Sequence, residues 1–366
     1  MNIFEATEQY ETWLARHTPL ISADLAIKHA AMRESAYVFL RATYYRWAQS
    51  WAALNHALRG APRVLSIGDL HVENFGTWRD AEGRLIWGVN DFDEVAAAPY
   101  SNDLVRLATS AVLASKIERL PVSAPRIARA VLEGYRQALT SGGKPFVLAE
   151  RHGWLRELAQ GNLRDAERFW EKLAQHPACK DKLPGKAARL LQANVPADAK
   201  LLRLIHRTSG LGSLGRQRWT ALYLQGSAYL AREVKARAPS AWCWANDAHD
   251  NLDDMPYVWQ HSQRVPDPFL HATRRWIVRR LAPDCSRIAL ADLPKRKDIP
   301  HLLHAMGRET ANIHVGAGAD RSTRKILQHL ESLPRDWLEQ AVKRMTQQTQ
   351  EDYRAWAVNK KVNKNI

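Results

Sequence analysis

The chain has 366 residues, 46% hydrophobic and 25% charged, which is enough for a large core or for two lobes that share a cleft. Its net charge is +15, but lysine and arginine are spread along the chain without a basic tail, so we do not expect nucleic acid to be the main partner. The absence of a long apolar run, of an apolar N-terminal leader and of a CxxC pair argues against a membrane span, a secretory signal and a zinc or disulfide framework, and favours a cytoplasmic protein.

The first half of the sequence is predicted to be mainly helical. Apolar and aromatic side chains recur at helical spacing within residues 1–60, most clearly from Glu34 to Leu58, and Pro62 ends this pattern. Two apolar runs, Arg63–Ile67 and Leu85–Val89, then predict strands, with a turn at residues 80–83 before the second. The further predicted helices are Asp103–Lys116, Ala124–Leu139 and most of residues 150–200.

The sequence becomes strand-rich after residue 200 and returns to amphipathic helix near its end. The predicted strands are Leu201–Ile205, Trp219–Leu224, Tyr229–Val234 and Trp276–Ala282, and the predicted helices are 299–314 and 324–358. This order predicts an α+β fold in which a small antiparallel β lobe, residues 195–298, is inserted into a helical lobe formed by residues 1–194 and 299–366. We expect a ligand cleft between the two lobes.

A first group of polar residues follows the two early strands. Asp69 follows the first strand and Gly68, Asn74 comes five residues later, and Asp91 and Asp93 end the second strand. Phosphoryl transfer needs a carboxylate that takes the proton of the acceptor hydroxyl, and an amide oxygen and a carboxylate that hold Mg²⁺ against nucleotide phosphates. Each residue alone could be an ordinary turn residue, but their joint occurrence favours a catalytic site.

A second group lies in Gly210, Gly212, Ser213 and Gly215, followed 20 residues later by Lys235. A Gly-x-Gly-x-x-Gly pattern is weak evidence by itself. A dinucleotide site would be followed by a helix, whereas a strand-like segment follows here, which disfavours NAD. A glycine-rich hairpin lets backbone N–H groups approach phosphates. A surface lysine on an edge strand remains the alternative for Lys235.

The segment GDLHVENFG resembles the catalytic loop of aminoglycoside phosphotransferases and related kinase-like enzymes, and VNDFDE resembles their metal-binding strand end. The resemblance implies that Asp69 is the catalytic base, that Asn74 and Asp91 bind Mg²⁺, and that Asp93 is an additional ligand. Lys235 is similar to the third-strand lysine of kinases that holds the ATP phosphates.

Three more residues have two possible roles each. Asp103 matches an acid in the same families and either caps its helix or braces the catalytic loop. His71 is expected to be structural or to face the substrate, because no second His or Cys is spaced to share a metal with it. Arg41 either reaches a phosphate or pairs with an acid, and we favour the pairing.

The order of the two groups is reversed relative to ordinary kinases, in which the glycine loop comes first. The sequence therefore resembles a circularly permuted kinase-like protein, with a hinge near residues 282–300, and Leu302–His314 is similar to the helix that precedes the catalytic loop. The same segments, in this order and over most of the chain, resemble the bacterial family called domain of unknown function 2252. That resemblance implies a fold but no substrate.

The sequence departs from the kinase pattern in one respect. Kinases pair the strand lysine with a helix glutamate, and no glutamate follows Lys235 before Glu309. The acids nearest in sequence are Asp247, Asp250, Asp253 and Asp254, and none has a convincing spacing.

These patterns predict an ATP- and Mg²⁺-dependent phosphotransferase that acts on a hydroxyl of an unidentified small molecule or protein. A pseudokinase that binds nucleotide without transfer is one alternative, and transfer of AMP on the same fold is another. A basic nucleic-acid-binding protein is a further, disfavoured alternative.

Overall fold

The computed structural model describes residues 1–179, 183–249, 251–293, 297–316 and 319–359. Asp250 lies outside the described residues. The chain begins with four helices: α1 (Ile3–Ala15), α2 (Ser22–Ala31), α3 (Ala36–Ala42) and α4 (Tyr44–Leu54). The helical pattern from Glu34 to Leu58 corresponds to two helices, because the chain leaves helical geometry at Thr43, where φ is −126° and ψ is 42°.

Short strands and two long helices follow. The elements are β1 (Arg63–Ser66), β2 (Phe75–Arg79), β3 (Leu85–Val89), β4 (Ala96–Pro99), α5 (Ser101–Ile117), α6 (Ala124–Ser141) and β5 (Phe146–Val147). β1 pairs with β4, while β2, β3 and β5 form a three-stranded sheet, and all of these pairs are antiparallel. The predicted turn before β3 is confirmed, since the Asp80 side chain accepts hydrogen bonds from the backbone N–H groups of Glu82 and Arg84.

The remaining elements are α7 (Gly153–Gly161), α8 (Ala166–Gln175), α9 (Gly185–Gln192), β6 (Lys200–His206), β7 (Arg218–Gln225), β8 (Ala228–Ala236), α10 (Ala241–Ala245), α11 (Asp254–His261), β9 (His271–Ala272), β10 (Trp276–Leu281), α12 (Asp298–Gly316), α13 (Ala319–Ser332) and α14 (Trp337–Val358). β6 to β10 form an antiparallel five-stranded sheet in the order β6-β7-β8-β10-β9. The α+β class is therefore confirmed.

The five-stranded sheet is covered by helices on both faces. Leu173 of α8 packs with Ile205 and Leu222 on one face, while Leu191 of α9 packs with Trp219 on the other. Side chains alternate between the faces of a strand, so adjacent residues of one strand bury apolar surface on opposite sides. Helices α8 and α9 thus pack with this sheet, although the predicted boundary at residue 194 assigns them to the helical lobe.

The segment after β8, in contrast, packs with the helices. Trp242 of α10 and both Met255 and Val258 of α11 belong to the main helical core, although the predicted β lobe of residues 195–298 includes them. The main core thus includes residues from both sides of the predicted domain boundaries.

Helices α6 and α12 form the centre of the helical part and approach each other closely. A Cβ atom on Gly134 of α6 would lie 2.0 Å from the carbonyl oxygen of His304, and one on Gly307 of α12 would lie 2.1 Å from that of Val131. Glycine at both positions therefore permits the close packing that positions α12, which carries buried polar residues such as Glu309.

Within the described residues, no helix combines the length and the apolar character needed to cross a bilayer.

Candidate functional site

The loop after β1 is held in place by Asp103. Its carboxylate accepts hydrogen bonds from the Ser66 hydroxyl at 2.6 Å and from the backbone N–H groups of Ile67 at 2.7 Å and Gly68 at 2.9 Å, and it lies 2.9 Å from Nε2 of His314. Asp103 is fully buried in the first turn of α5, whose N-cap is Tyr100. Of its two predicted roles, the structure therefore shows the bracing of the loop.

Gly68 has a conformation that favours glycine. Its φ is +84°, and a Cβ atom there would lie 2.2 Å from the carbonyl oxygen of Glu94. The close contact brings the loop that contains Asp69 against the segment that contains Asp91 and Asp93, so the two parts of the first polar group meet.

Asp69 forms a buried ion pair that sequence reasoning missed. Its Oδ1 accepts hydrogen bonds from Nε of Arg106 at 2.9 Å and from Nη2. The Arg106 guanidinium lies 4.9 Å from the ring centroids of both Tyr44 and Trp47, and it donates to the Leu40 carbonyl. These contacts fix the position of the Asp69 carboxylate.

The surroundings of Asp69 favour its protonated form. Burial raises the pKa of Asp69 to about 7 against the opposing charge of Arg106, and the carboxylates of Glu94 and Asp91 add to the increase. A general base works best when its pKa lies near the operating pH. With this pKa, Asp69 is partly ionised at neutral pH.

Asn74 and His71 form a compact turn in the same loop. Oδ1 of Asn74 accepts the His71 backbone N–H at 2.6 Å, and the Asn74 carbonyl accepts the Asn90 N–H at 2.9 Å. Nδ1 of His71 accepts the Glu73 N–H at 3.2 Å, so Nε2 carries the ring proton. Burial lowers the pKa of His71 well below its ordinary value, and nearby arginines lower it further, so this histidine is neutral.

Asp91 and Asp93 follow β3 but have different surroundings. Among the described residues, no lysine, arginine or histidine lies within ion-pair distance of Asp91, whose Oδ1 accepts the Asp93 N–H at 3.4 Å. Asp93 pairs with Lys235 and lies 3.8 Å from Nη1 of Arg216. Burial opposes ionisation of Asp93, but the charges of Lys235 and Arg216 outweigh it and lower its pKa to about 2.

The acid partner of Lys235 is therefore Asp93, and none of the described acids downstream of Lys235 takes this place. The lysine is 6% exposed and lies on β8, the third strand of the five-stranded sheet in chain order. Asp253 instead lies 3.4 Å from Arg274. Because its carboxylate neutralises Lys235, Asp93 is less suited than Asp91 to the predicted role of a metal ligand.

Glu94 adds a second connection between the loop after β3 and the β lobe. Its carboxylate lies 3.2 Å from Nη2 of Arg216 and accepts hydrogen bonds from the Ser240 hydroxyl and the Ala241 N–H. Glu94 and Arg216 are both buried. Two consecutive acids, Asp93 and Glu94, thus join this loop to the β lobe through buried charges.

The glycine loop has a tight turn at Leu211–Ser213, and its tip lies against Asp69. A Cβ atom on Gly212 would lie 3.1 Å from Oδ2 of Asp69 and 3.2 Å from the Arg41 carbonyl oxygen. The two polar groups, separated by more than a hundred residues, therefore meet in space.

The other members of the glycine pattern have different neighbours. A Cβ atom on Gly210 would lie 2.9 Å from Nη2 of Arg218, which also donates to the Ser213 hydroxyl at 2.6 Å. A Cβ atom on Gly215 would lie 2.4 Å from Cδ2 of Leu25 in α2, and the Gly215 carbonyl accepts a hydrogen bond from the Ile21 N–H at 2.8 Å. Gly215 thus packs against Leu25 and does not contact Asp69 as Gly212 does.

These elements surround a cavity of about 320 Å³. Of the predicted site residues, Asp69, Asn74, Asp91, Asp93, Gly210, Gly212 and Ser213 line it. Lys235 lines a small adjoining cavity together with Asp91 and Asp93.

The donor atoms at the cleft are compatible with a nucleotide-bound magnesium ion. Within the described residues, no group of three or more His, Cys, Asp or Glu side chains is placed to hold a metal. Mg²⁺ in phosphotransferases needs only one or two protein carboxylates, because phosphates and water supply its other ligands. The Asp91 carboxylate, which has no described cation within ion-pair distance, fits that limited role. Asn74 lines the same cavity, although its amide oxygen already accepts the His71 N–H.

Residues 20–182 and 179–358 match the family described as an uncharacterized protein conserved in bacteria, domain of unknown function 2252. The chain belongs to this family. The predicted membership in the domain of unknown function 2252 family is thus confirmed over most of the sequence. No curated protein and no solved structure matches the chain.

The cleft of this member of the domain of unknown function 2252 family is rich in arginine, which sequence reasoning missed except at Arg41. Its arginines come from separate parts of the chain, and the high net charge was their only sequence signal. The arginines that line the cavity are Arg41, Arg164, Arg207, Arg264, Arg279, Arg280 and Arg287.

A cluster of three arginines, two of which line the cavity, surrounds Glu233 of β8. The Glu233 carboxylate lies 3.4 Å from Arg207, 3.4 Å from Arg218 and 2.7 Å from Arg279. Burial opposes ionisation of Glu233, but the three guanidinium charges outweigh it and hold its pKa well below the usual range. Three cations around one carboxylate leave positive charge beside the glycine loop, where a polyphosphate would be stabilised.

A buried carboxyl group on α12 predicts a pH dependence of stability. Glu309 accepts hydrogen bonds from the Val89 N–H and from Nδ2 of Asn312, and burial raises its pKa to about 7. Because the folded state then binds this proton more tightly than the unfolded state, whose glutamate pKa is about 4.3, the free energy of unfolding should decrease as pH rises from about 4.3 to 7.

We expect Glu309→Gln to make the free energy of unfolding less dependent on pH in this window, as measured by urea denaturation at several pH values. Asp69 contributes with the same sign, so the slope should decrease without vanishing. The exposed Glu331→Gln variant is the control. Equal slopes for Glu309→Gln and the wild type would contradict the assignment.

Proposed function

We propose that the chain is a Mg²⁺- and ATP-dependent phosphotransferase with a circularly permuted kinase-like arrangement, and that the cleft is its active site. The observation that carries the proposal is that Asp69 and Asp91 lie close to Gly212 and Lys235, although the two pairs are more than a hundred residues apart in the sequence. Kinases use a base, a metal-binding carboxylate, a glycine-rich loop and a strand lysine in one cleft. Asp69, Asp91, Gly212 and Lys235 are residues of the same four types, and their proximity supports the proposal.

Each residue has a role in this proposal. Asp69 accepts the proton of the acceptor hydroxyl, and Arg106 orients its carboxylate. Lys235, positioned by Asp93, contacts the nucleotide phosphates, and the Glu233 arginine cluster stabilises their charge. Asp91 and Asn74 would hold Mg²⁺, which when bound supplies electrostatic stabilisation of the phosphates.

A nucleotide-binding protein without transfer activity is the second candidate. Oδ1 of Asp69 is occupied by Arg106, and the glycine loop lies close to Oδ2, which favours a carboxylate with a structural role. Transfer of AMP on the same frame is distinguished by the label, since ATP labelled in the α-phosphate marks the acceptor in that reaction and ATP labelled in the γ-phosphate does so in phosphoryl transfer.

We expect Mg·ATP to stabilise the wild-type protein, by about 2.7 kcal/mol when its concentration is 100 times the dissociation constant. Asp91→Asn and Lys235→Met should each remove most of this stabilisation, because one removes the carboxylate for the metal and the other a cation for the phosphates. The measurement is the melting temperature with ATP, with and without Mg²⁺.

Asp253→Asn, which changes an exposed carboxylate outside the cleft, is the matched control and should respond to Mg·ATP as the wild type does. If the increase in melting temperature survives in both Asp91→Asn and Lys235→Met, the nucleotide does not bind as proposed. Binding without labelled product across a broad panel of acceptors would favour the second candidate.

A further inference from the structure

Two arginines share one carboxylate in the catalytic loop. Glu73 lies four residues after Asp69 and pairs with Arg41, with Nη2 to Oε2 at 3.1 Å and Nη1 to Oε1 at 3.2 Å. Arg287, from the segment after β10, pairs with the same carboxylate, and the Tyr37 hydroxyl donates to it at 3.2 Å. One negative charge therefore faces two guanidinium groups that come from distant parts of the sequence.

Arg164 adds a third positive charge at this place. Its backbone N–H donates to the Pro283 carbonyl at 3.3 Å, which anchors it beside the segment that contains Arg287. Among the described residues, no carboxylate lies within ion-pair distance of its guanidinium, which lies 5.6 Å from the Phe169 ring. Burial lowers the pKa of Arg164, and the neighbouring charges of Arg287 and Arg279 lower it further.

The three arginines and Glu73 lie beside the proposed catalytic base and line the same cavity. The Arg41 carbonyl and Oδ2 of Asp69 both lie against Gly212. His71, between Asp69 and Glu73 in the sequence, is neutral and presents Nε2–H as a donor. An acceptor whose hydroxyl is at Asp69 would place a neighbouring substituent near Arg41 and Arg287.

The net charge of these three arginines and Glu73 indicates the charge of the substituent that they bind. Three guanidinium groups and one carboxylate give a net charge of +2, and a phosphate monoester carries about −1.5 to −2 at pH 7. Guanidinium groups bind phosphate oxygens through paired hydrogen bonds. Arg41 approaches Glu73 with two such donors, Nη1 and Nη2, and Arg287 approaches it with Nη1. The side chain of Arg287 is 52% exposed, so this end of the cleft is accessible to a ligand.

We propose that the acceptor is a small molecule that carries a phosphate monoester as well as the reacting hydroxyl, and that Arg41, Arg164 and Arg287 bind this phosphate at the mouth of the cleft. The inference rests on the proposed function for the reaction, but the proposed phosphate site shares no residue with the Glu233 cluster and does not include Lys235. It therefore can be tested without nucleotide.

Glycerol 3-phosphate is a suitable probe, with glycerol and succinate as the uncharged and dicarboxylate comparisons. We expect titration calorimetry without ATP to show binding of glycerol 3-phosphate to the wild-type protein and not of the two comparison compounds. Arg287→Gln and Arg41→Gln should each weaken this binding by about tenfold or more, since each removes a charge-assisted hydrogen-bond donor. Arg287→Lys, which retains the charge but not the paired donors, should have an intermediate effect.

Arg274→Gln is the matched control, because Arg274 is an exposed arginine that pairs with a carboxylate outside the cleft. Melting temperatures of all variants establish that they are folded. The proposal is overturned if glycerol 3-phosphate does not bind, if succinate binds equally well, or if Arg274→Gln weakens binding as much as Arg287→Gln.

Mg·ATP separates this proposal from the function on which it rests. If Arg287→Gln weakens Mg·ATP binding as much as glycerol 3-phosphate binding, the arginines serve the nucleotide and the acceptor site is wrong. If glycerol 3-phosphate binds through these arginines while the wild type does not bind Mg·ATP, the phosphate site stands and the proposed phosphotransferase is wrong.

Discussion

Asp69→Asn is expected to lower the rate of phosphoryl transfer by about 10²–10⁴-fold, the usual contribution of a general base. Asparagine retains an oxygen that can accept the Arg106 hydrogen bond, but it cannot take up the acceptor proton. Binding of Mg·ATP should change little, because Asp91 and Lys235 remain. Single-turnover transfer of γ-labelled phosphate, together with the Mg·ATP melting shift, measures the two effects separately.

The pH profile provides a second readout for the same residue. With a pKa of about 7, Asp69 is increasingly protonated as pH falls below 7 and then cannot act as a base. The wild-type rate should therefore decrease on the acid side of pH 7, and the residual rate of Asp69→Asn should lack this decrease. Transfer at the wild-type rate in Asp69→Asn would show that another group, or none, removes the proton.

Asp103→Ala is expected to cause a large loss of stability. The substitution leaves two backbone N–H groups, the Ser66 hydroxyl and His314 without their buried acceptor. Each buried polar group without a partner costs about 1–3 kcal/mol, so the total should exceed about 4 kcal/mol. Urea denaturation at pH 7 measures this loss as a decrease in the free energy of unfolding.

Asp165→Ala is the control for Asp103→Ala. Asp165 also accepts a backbone hydrogen bond at a helix N-terminus, from Arg168 at 2.8 Å, but it is exposed. Its loss should cost about 1 kcal/mol, as for other N-caps. Similar losses for the two variants would mean that Asp103 acts only as a helix residue and does not hold the loop that contains Asp69.

The sequence predicts those strands and helices whose own residues form a recognisable local pattern of apolar and polar side chains. β3, β7 and β8 are predicted correctly because each contains a run of apolar and aromatic residues bounded by turn residues. β2 and β4 lack such a local signal, since Phe75–Arg79 continues directly from the polar loop of residues 69–74, and Ala96–Pro99 consists of three alanines and a proline, which are depleted in strands. Such segments become strands through pairing with a neighbour, which a local pattern does not contain.

The candidate site was predicted where its residues lie within one loop and missed where it depends on distant contacts. Asp69, Asn74 and Asp91 were found because strand ends constrain them. The Asp93–Lys235 pair joins residues 142 positions apart, with the acid before the lysine, whereas the kinase pattern predicts an acid after the lysine. Gly215 was assigned to phosphate binding by its spacing, whereas its position reflects packing against Leu25.

The buried pairs made by Asp93 and Glu94 have a consequence for how a ligand reaches the cleft. Lys235 and Arg216 are almost inaccessible to solvent, so dissolved ions screen their attraction to these acids only weakly. Wide separation of the cleft walls would expose both acids and both cations at once and break their pairing. Ligands should therefore exchange through the exposed outer edge of the cleft near Arg287. The inner end, where Asp93 and Glu94 form their ion pairs, should stay closed even at high ionic strength.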